Sequence, residues 1–429
     1  MGGADATWSL SSLNTPPPWT LRRIGVWGAY RNIPGNAKFL IYLSFFPALA
    51  LSLIYTDLSY FLTKVQGLSA VFTGVVLTTM GLTVVAMSIP LGILADRYGR
   101  RRFLVIGNLL ASLTLMMFAL TTNQFLLIVA AIAEGTTEAA FATSGTALLT
   151  SLAGDTSRTA TFSLSSFLQN IAYGLGGFAL PLVVVLESFG MNDSMAHVAL
   201  YVFVALMGAS VTPLLLRIPE SARSDKAKSI RQFLPTKSRS VLVKWSLANV
   251  MVAFGAGLFV PLMTLWFSLR YAVPDSLSGP VIGIGGFLIA IVSLVAPFLA
   301  RKFGLVKAAV LSEGLSMVFM LFVPLSPTFL VAGFVYTVRS FLMNVANPMN
   351  TSLIMGLVSP DERGAAAGIS SAVWRLPNSV STTIGADMMN AGLLALPFYL
   401  ATGLYVASLG LYWFFFGKTR LPEETVVGV

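Results

Sequence analysis

The stretch GILADRYGRRRFL, residues 92–104, changes from an apolar run to a cluster of arginines within a few positions. Gly92 lets two helices approach closely, Asp96 ends the apolar run with an acid, and Gly99 supplies a tight turn. The positive charges that follow suit the cytoplasmic face of a membrane; they are Arg97, Arg100, Arg101 and Arg102. The stretch therefore predicts a short connection between two membrane-spanning helices.

The composition of the chain also indicates a membrane protein. Its 429 residues are 56% hydrophobic and 10% charged, with a mean hydropathy of +0.81, whereas soluble domains carry roughly 25% charged residues. A helix crosses the hydrocarbon with about 20 apolar residues, and breaks at charges and at Gly, Pro or Asn clusters predict twelve segments. They lie at residues 39–63, 70–95, 103–122, 124–152, 160–187, 196–216, 241–269, 276–300, 306–326, 328–358, 364–388 and 394–416.

The basic residues are distributed unevenly between the two sides of these segments. Of the 27 Lys and Arg residues, 23 fall on the side of the N-terminus, two (Lys64 and Arg270) fall on the other side, and two lie inside segments. The positive-inside rule therefore predicts a multi-pass protein of the cell membrane with both termini in the cytoplasm. Because topology explains the net charge of +10, a nucleic-acid partner is not expected.

The segments form two groups of six. We predict an N-terminal six-helix half at 39–216 and a C-terminal half at 241–416, joined by a cytoplasmic linker at 217–240. Residues 1–38 are a cytoplasmic leader, for which an interfacial helix and a disordered segment are equally expected, and residues 417–429 are a cytoplasmic tail. A shift of 205 residues aligns the halves, since it pairs Gly74 with Gly279, Gly81 with Gly286, and Gly99 with Gly304. The predicted fold is an all-α membrane protein with twelve transmembrane helices in two pseudo-symmetric halves.

Within this arrangement, the opening stretch resembles the signature G-x-L-x-D-R-x-G-R-R of the major facilitator superfamily. It matches at Gly92, Leu94, Asp96, Arg97, Gly99, Arg100 and Arg101. Residues 359–368, SPDERGAAAG, are similar to the loop that precedes helix 11 in this family, and the resemblance covers residues 39–416. It implies a secondary transporter whose cytoplasmic gate contains Gly92, Asp96, Arg97, Gly99, Arg100 and Arg101.

In the family, the acid of this signature is associated with holding the cytoplasmic ends of the two halves together. The resemblance therefore places Asp96 near the start of helix 11, where free N–H groups favour an anion; a simple turn that anchors the topology is the alternative. The second copy of the motif has Arg301 in place of Asp96 and Pro297 in place of Gly92. The gate is accordingly expected to be asymmetric.

Ionisable side chains inside the predicted segments indicate a central polar cavity. An ion at the centre of a lipid-facing helix costs on the order of 3 kcal/mol, so these groups should face one another or water. The shift of 205 residues maps Glu134 onto Arg339, and the resemblance implies that their helices, 4 and 10, line the cavity. We therefore expect Glu134 and Arg339 to face each other. The ionisable groups inside segments are Asp57, Glu134, Glu138, Glu313, Arg339 and Arg375.

Polar residues that share helix faces are the predicted substrate-binding residues. They are Glu134, Glu138, Arg339, Asn347, Asn350, Arg375, Asn378, Asn170 and Tyr173. Glu134 and Glu138 lie one helical turn apart, and two carboxylates in a poorly hydrated site cannot both ionise at low cost. The hypothesis is that these two exchange a proton during transport, with Asp57 as a second candidate.

Two alternatives to proton exchange remain open. Glu134–Arg339 or Glu138–Arg375 could be permanent ion pairs that hold the bundle together, or the carboxylates could bind a cationic group of the substrate. Glu313 is interpreted as an acid that packs between helices.

The sequence offers little for metal binding or catalysis. It has no cysteine, and its single histidine, His197, is predicted in a short outer loop. No metal, no cofactor and no enzymatic activity are predicted. The glycine-rich runs at 174–177 and 283–286 lie in apolar segments and are interpreted as sites of close helix packing or of helix bending.

These observations predict a monomeric secondary active transporter in the lipid bilayer. It should move a small polar or charged organic solute by alternating access, coupled to protons. One alternative is a drug or metabolite exporter of the same fold. The other is a transporter-like sensor or structural membrane protein that transports nothing.

Overall fold

The computed structural model describes residues 31–220, 237–359 and 362–419, and the regular structure of these residues is helical. Most of the predicted leader, linker and tail, at residues 1–30, 221–236 and 420–429, lies outside the described part. We call residues 31–220 the N-terminal half. Residues 237–359 and 362–419 are called the C-terminal half.

The helices of the N-terminal half follow the predicted spans except at the fourth and fifth, where the helix Thr146–Ala179 begins inside the fourth predicted span and continues through the connection predicted between residues 152 and 160. π-Helical turns at Phe61–Val65 and Phe141–Gly145 continue the first and fourth helices. The α-helices, in chain order, are α1 (Gly35–Tyr60), α2 (Ala70–Tyr98), α3 (Arg100–Leu120), α4 (Gln124–Ala140), α5 (Thr146–Ala179), α6 (Pro181–Ser188), α7 (Asp193–Ser210) and α8 (Thr212–Leu215).

The C-terminal half differs from expectation at its first span. The segment predicted as one helix at 241–269 is divided by a 3-10 turn at Val260–Leu262, where Pro261 has no N–H group for a helical hydrogen bond. The α-helices are α9 (Arg239–Gly257), α10 (Met263–Tyr271), α11 (Asp275–Phe303), α12 (Leu305–Phe322), α13 (Phe329–Leu357), α14 (Arg363–Asn390) and α15 (Leu396–Phe416).

The lengths and composition of these helices suit a membrane. Within the described residues, nine helical segments are long and apolar enough to cross a bilayer, and Asp275–Ile291 is a shorter apolar helix. Helices α12 and α14 occupy the ninth and eleventh predicted spans, and α14 is polar because it carries residues such as Arg375, Asn378 and Asp387. The all-α, multi-pass class is therefore confirmed, and the count of twelve stays a prediction.

The helix bounds repeat at the 205-residue shift found in the sequence. Helices α2 and α11 begin at residues 70 and 275 and end at 98 and 303, while α3 and α12 begin at 100 and 305. The glycines between them, Gly99 and Gly304, both have positive φ, of 110° and 82°. Only glycine adopts this backbone at no steric cost, so the repeated glycine fixes the same tight turn in each half.

The two ends of the bundle can be told apart by the connections they carry. The linker end holds the turns at Gly99 and Gly304 and the chain on both sides of residues 221–236. The far end, opposite to it, holds the connections near Gly67, Gly190 and Ala272.

At the far end, α2 and α14 pack closely because α2 presents glycines to its neighbour. A Cβ atom added at Gly74 would lie 2.9 Å from Cα of Thr383, and one added at Gly81 would lie 2.7 Å from Cβ of Ser379. Thr78, between the two glycines, donates a hydrogen bond of 2.5 Å to the carbonyl oxygen of Ser379. The repeat-related glycines thus join the two halves.

The equivalent contact joins α5 to α11. A Cβ atom added at Gly177 would lie 2.9 Å from Cα of Gly283, and one added at Gly286 would lie 2.9 Å from Cα of Gly174. These distances leave no room for a side chain, because the neighbours are backbone atoms. The interpretation of both glycine-rich runs as packing sites is confirmed.

The halves diverge toward the linker end. Along one face of α14, Gly368 and Ser371 are exposed, Arg375 and Asn378 are half-buried, and Thr382 is buried. These positions follow helical spacing and run from the linker end to the far end. The same face is therefore open at the linker end and closed at the far end.

Replacing Gly286 by alanine should destabilise this conformation, whereas replacing the adjacent Gly285 should not. Alanine improves helix propensity by about 1 kcal/mol in both variants, but only at residue 286 does the new methyl group meet backbone, and overpacking costs about 1–3 kcal/mol. Gly285 has no atom within 4 Å of an added Cβ. Melting temperatures of the purified proteins in detergent measure the difference. Equal melting temperatures for the two variants would contradict the packing described here.

Candidate functional site

A cavity of about 250 Å³ lies between the halves, and both halves contribute to its wall. The charged residues of the described lining are Glu138 and Arg375. From the N-terminal half the lining residues are Tyr55, Leu77, Met80, Gly81, Glu138 and Tyr173, and from the C-terminal half they are Pro261, Trp374, Arg375, Asn378, Ser379 and Thr382.

The two charged groups form an ion pair that joins the halves. Nη2 of Arg375 on α14 lies 2.5 Å from Oε1 of Glu138 on α4, and the side chains are 30% and 8% exposed. Tyr55 on α1 donates a hydrogen bond of 2.7 Å to the other carboxylate oxygen, Oε2. The carboxylate thus receives partners from both halves, and the Arg375 side chain remains partly exposed.

The positions of these side chains follow from local structure. Glu138 is in the last turn of α4, directly before the π-helical turn Phe141–Gly145, and single π-helical turns alter the direction of the residues around them. Opposite, the backbone between α9 and α10 leaves regular helix at Pro261, which lines the cavity. Asn378 donates a hydrogen bond of 3.3 Å to the carbonyl oxygen of Ala253 on α9, so α14 is fixed next to this break.

The cavity can hold a solute by several kinds of contact. Tyr55, Tyr173 and Trp374 offer aromatic surface, Asn378 offers an amide, and Arg375 offers N–H donors of fixed geometry. Of the predicted substrate-binding residues, the structure brings together Glu138, Tyr173, Arg375 and Asn378.

The expected pair of Glu134 and Arg339 is not formed. Glu134 is 3% exposed and accepts a hydrogen bond from Thr114 on α3. Arg339 is 4% exposed, donates to the hydroxyl group of Tyr405 on α15 at 3.0 Å, and lies 5.0 Å from the ring centre of Phe259. No ion pair between these two occurs in the described chain. Each side chain points into its own half and away from the cavity lining.

The predicted asparagines outside the lining bind neighbours in their own half. Asn350 donates to Oε1 of Glu313 at 3.0 Å and accepts from the hydroxyl group of Tyr412 at 2.7 Å. Asn347 is exposed and donates to Oδ1 of Asn344 at 3.0 Å. Glu313 therefore packs between helices as expected, and the asparagines lie away from the cavity.

Asn170 on α5 also lies outside the described lining. Its amide donates to the carbonyl oxygen of Ser166 at 2.9 Å. This bond lies within one helix turn, so the side chain folds back on its own backbone.

Asp57 belongs to a second polar cluster, at the far end. It is fully buried and accepts a hydrogen bond of 3.0 Å from the hydroxyl group of Tyr201 on α7. One oxygen or ring nitrogen from each of Asp57, His197 and Asp275 lies within 4.8 Å of the others.

The prediction that His197 lies in a short outer loop was wrong, because it lies in α7 with 0% exposure.

The residues of the predicted gate form a network at the linker end of the N-terminal half. Arg100 binds Oδ1 of Asp96 at 2.7 Å, and Nη1 of Arg100 donates to the carbonyl oxygen of Ala147 at 3.1 Å. The N–H group of Arg101 donates to Oε1 of Glu220 at 3.1 Å. A Cβ atom added at Gly99 would lie 2.7 Å from Glu220 Oε2, so a side chain there would displace this carboxylate, and the positive φ favours glycine as well.

Around this network, Gly92 has space beside it, since an added Cβ would lie 3.8 Å from Thr143. Arg97 is exposed, with its guanidinium 5.5 Å from the ring centre of Tyr98. In the C-terminal copy, the side chains of Pro297 and Arg301 lie outside those that the structure describes.

Sequence reasoning missed three residues of these sites, for identifiable reasons. Tyr55 carries no charge that would mark it within an apolar span, and Asp275 lies one residue before the eighth predicted span, 276–300. His197 was predicted in a short outer loop, although it is the second residue of the span predicted at 196–216. The helix start signal of Asn192, which accepts from the N–H group of Met195 at 2.8 Å, could have corrected this.

Comparison with known proteins agrees with the geometry. The sequence profile of the Major Facilitator Superfamily matches residues 40–382. Comparison with curated protein sequences gives no significant match.

Solved structures with this fold include several transporters. The nucleoside transporter NupG has a TM-score of 0.71 at 14% identity, covering 90% of this chain and 100% of that one. A bacterial homologue of the human lysosomal transporter Spinster, in an inward-facing and occupied conformation, has a TM-score of 0.73 at 14% identity (88% and 95%). The human organic anion transporter MFSD10 has a TM-score of 0.63 at 15% identity (89% and 99%). At these identities the likeness shows the fold alone.

A double-mutant cycle should detect coupling between Glu138 and Arg375. Each single change, Glu138→Gln or Arg375→Gln, leaves a poorly hydrated charge without its partner, and the double variant removes both charges. We expect a coupling free energy of about 1–3 kcal/mol, read from melting temperatures in detergent. The matched control is the pair Glu134→Gln and Arg339→Gln, which should be additive because the side chains do not meet. Coupling in the control pair but not in the first would contradict the described site.

Proposed function

The chain belongs to the Major Facilitator Superfamily, and on that premise we propose that it is a secondary active transporter for a small polar or charged organic solute. The transport cycle is alternating access, with proton coupling. The observation that carries the proposal is the Glu138–Arg375 ion pair, which joins the halves inside a cavity that is open at one end.

The geometry of the two ends supports alternating access. Close glycine contacts hold the far end together, whereas α14 becomes exposed along its cavity face toward the linker end. Small residues allow the helices of the two halves to approach closely at this end without side chains that interlock. The halves are thus suited to rock about the central site, as in other transporters built from repeats.

The distribution of charge supports an orientation in the membrane. With 23 of 27 basic residues on the linker side, the linker end faces the cytoplasm of the cell and both termini are cytoplasmic. The conformation described here is then inward-facing. In this assignment Asp96 and Arg100 belong to the cytoplasmic gate, and they would exchange their mutual contact for the start of α14 when that end closes.

The ion pair supplies a way to couple solute and proton. When Glu138 is ionised, it occupies Arg375, and the cavity carries no net charge. A proton on Glu138 removes the charge that holds the guanidinium, so Arg375 becomes free for an anionic or strongly accepting group of the solute. Release of the proton restores the pair and displaces that group. This scheme assigns the coupling to Glu138 rather than to Glu134, which binds Thr114 away from the cavity.

The lining indicates the kind of solute. A guanidinium beside tyrosine and tryptophan rings suits a molecule with one acidic or polar group and a flat or apolar part. A screen by melting temperature with nucleosides, amino acids, monocarboxylates and dicarboxylates is the direct way to find a ligand.

Glu138→Gln should separate binding from coupling. Because glutamine resembles the protonated acid, we expect exchange of labelled solute between the two sides of proteoliposomes to continue, while accumulation driven by a pH gradient falls at least about tenfold, the effect of 1.4 kcal/mol. Arg375→Gln should abolish both. Accumulation by Glu138→Gln at the wild-type level would refute the coupling scheme.

Glu313→Gln is the matched control for this experiment. Glu313 is also a buried carboxylate, but it binds Asn350 in the C-terminal half and does not line the cavity. Both exchange and accumulation should persist in this variant. If no solute of the screen moves in wild-type proteoliposomes, the transport proposal itself fails.

A further inference from the structure

The polar cluster at the far end crosses between the halves. Asp57 on α1 and His197 on α7 belong to the N-terminal half, and Asp275 is the first residue of α11 in the C-terminal half. Their exposed fractions are 0%, 0% and 2%. The cluster therefore exists only while the halves are in contact at this end, and separation there must break it.

The hydrogen bonds of His197 determine how many protons the ring carries. Nδ1 lies 2.8 Å from the backbone oxygen of Asp193 and 3.0 Å from its Oδ1, and both oxygens can only accept from it. Nδ1 must therefore carry a hydrogen. Nε2 lies 2.9 Å from Oδ2 of Asp275, and this contact requires a second hydrogen, placed on one of these two atoms.

The surroundings favour the imidazolium form of the ring. Asp275 lies at the N-terminus of a helix of three or more turns, where the free N–H groups favour a carboxylate. A positive ring between Asp57 and Asp275 compensates two acids that would otherwise repel each other. In the described chain, no Lys or Arg side chain forms an ion pair with any of the three groups.

The other titratable side chains around the cluster do not supply a positive charge in place of the imidazolium ring. Tyr201 donates to Oδ2 of Asp57 at 3.0 Å, and the ring of Tyr60 has its centre 6.3 Å from that of His197. Oδ1 of Asp57 is buried without a hydrogen-bond partner, so the acid has unused capacity to accept. Asp193, which touches the ring, is 56% exposed and offers protons a path from the surface at this end.

We propose that Asp57, His197 and Asp275 form a proton-binding latch, which holds the far end closed while His197 carries its second proton. The proposal rests on the alternating access proposed above and adds a second site at which protons act. Its ligand is the proton itself. The latch closes on the far side of the bundle, separate from the cavity that binds the solute.

The sign of the pH effect follows from linkage. In the open state His197 would meet water, and an exposed histidine loses its second proton above about pH 6.5. The closed state requires that proton, so closure takes up a proton over this range. Raising the pH should therefore favour opening, by up to about tenfold per pH unit for one linked proton.

The absence of cysteine from the sequence permits a direct measurement. Spin labels on Ser188→Cys in the N-terminal half and Asn390→Cys in the C-terminal half, both exposed at the far end, report the distance between the halves in proteoliposomes without solute. In wild type, the long-distance population should grow between about pH 5.5 and about pH 8.5, the range in which histidine changes charge. His197→Gln and Asp275→Asn should each remove this dependence.

Asp387→Asn is the matched control, since Asp387 is an exposed acid near the far end of α14, and it should titrate like wild type. A distance distribution in wild type that does not change with pH would overturn the latch, even if His197→Gln fails to fold. The same conclusion follows if His197→Gln keeps the wild-type dependence, or if chelation by EDTA opens the far end at constant pH, since the cluster would then hold a metal ion. Because no solute is present, these outcomes are independent of whether transport is found.

Discussion

The structure depends on one constraint: an ionisable side chain inside a bilayer must have a partner, because hydrocarbon offers none. Glu134 has Thr114, Arg339 has Tyr405 and the ring of Phe259, and Glu313 has Asn350. These contacts join helices within one half. They oppose sliding of the helices that they join, since sliding would leave a buried polar group unpaired. Rigid halves are the condition under which motion can be confined to the surface between them.

A second group of contacts crosses the surface between the halves and therefore has a different role from the contacts within one half. Glu138 binds Arg375, and His197 binds Asp275, in both cases from one half to the other. Alternating access cannot keep such contacts throughout its cycle if the halves rock apart. In the proposed cycle, the charges of these crossing pairs decide which conformation is stable. The glycine contacts and the uncharged hydrogen bond of Thr78 with Ser379 also cross between the halves, but they carry no group that changes charge.

The sequence predicted much of the scaffold because apolar length, charge asymmetry and the 205-residue shift are properties of the chain itself. The shift recurs in the bounds of α2 and α11 and in the positive φ of Gly99 and Gly304. The same shift pairs Glu134 with Arg339. Residues paired by an internal repeat, however, occupy the same position relative to the other helices of their own half. Two such residues need not face each other, and here each turns toward its own half. Which side of a helix meets the cavity depends on packing angles and on irregular turns, such as the one at Pro261, that periodicity does not contain.

The two crossing pairs respond to protons in opposite senses, and this has a consequence for the cycle. In the proposed scheme a proton on Glu138 releases Arg375 and weakens the contact between the halves at the cavity, whereas a proton on His197 strengthens the contact at the far end. The groups also differ in access, since Glu138 lines the cavity and His197 is next to half-exposed Asp193 at the opposite surface. Acid on the far side then favours closure there, and acid in the cavity prepares Arg375 for a solute. A pH difference across the membrane would therefore act on conformation and on binding through separate groups, and a single pH applied to both sides cannot reproduce its effect.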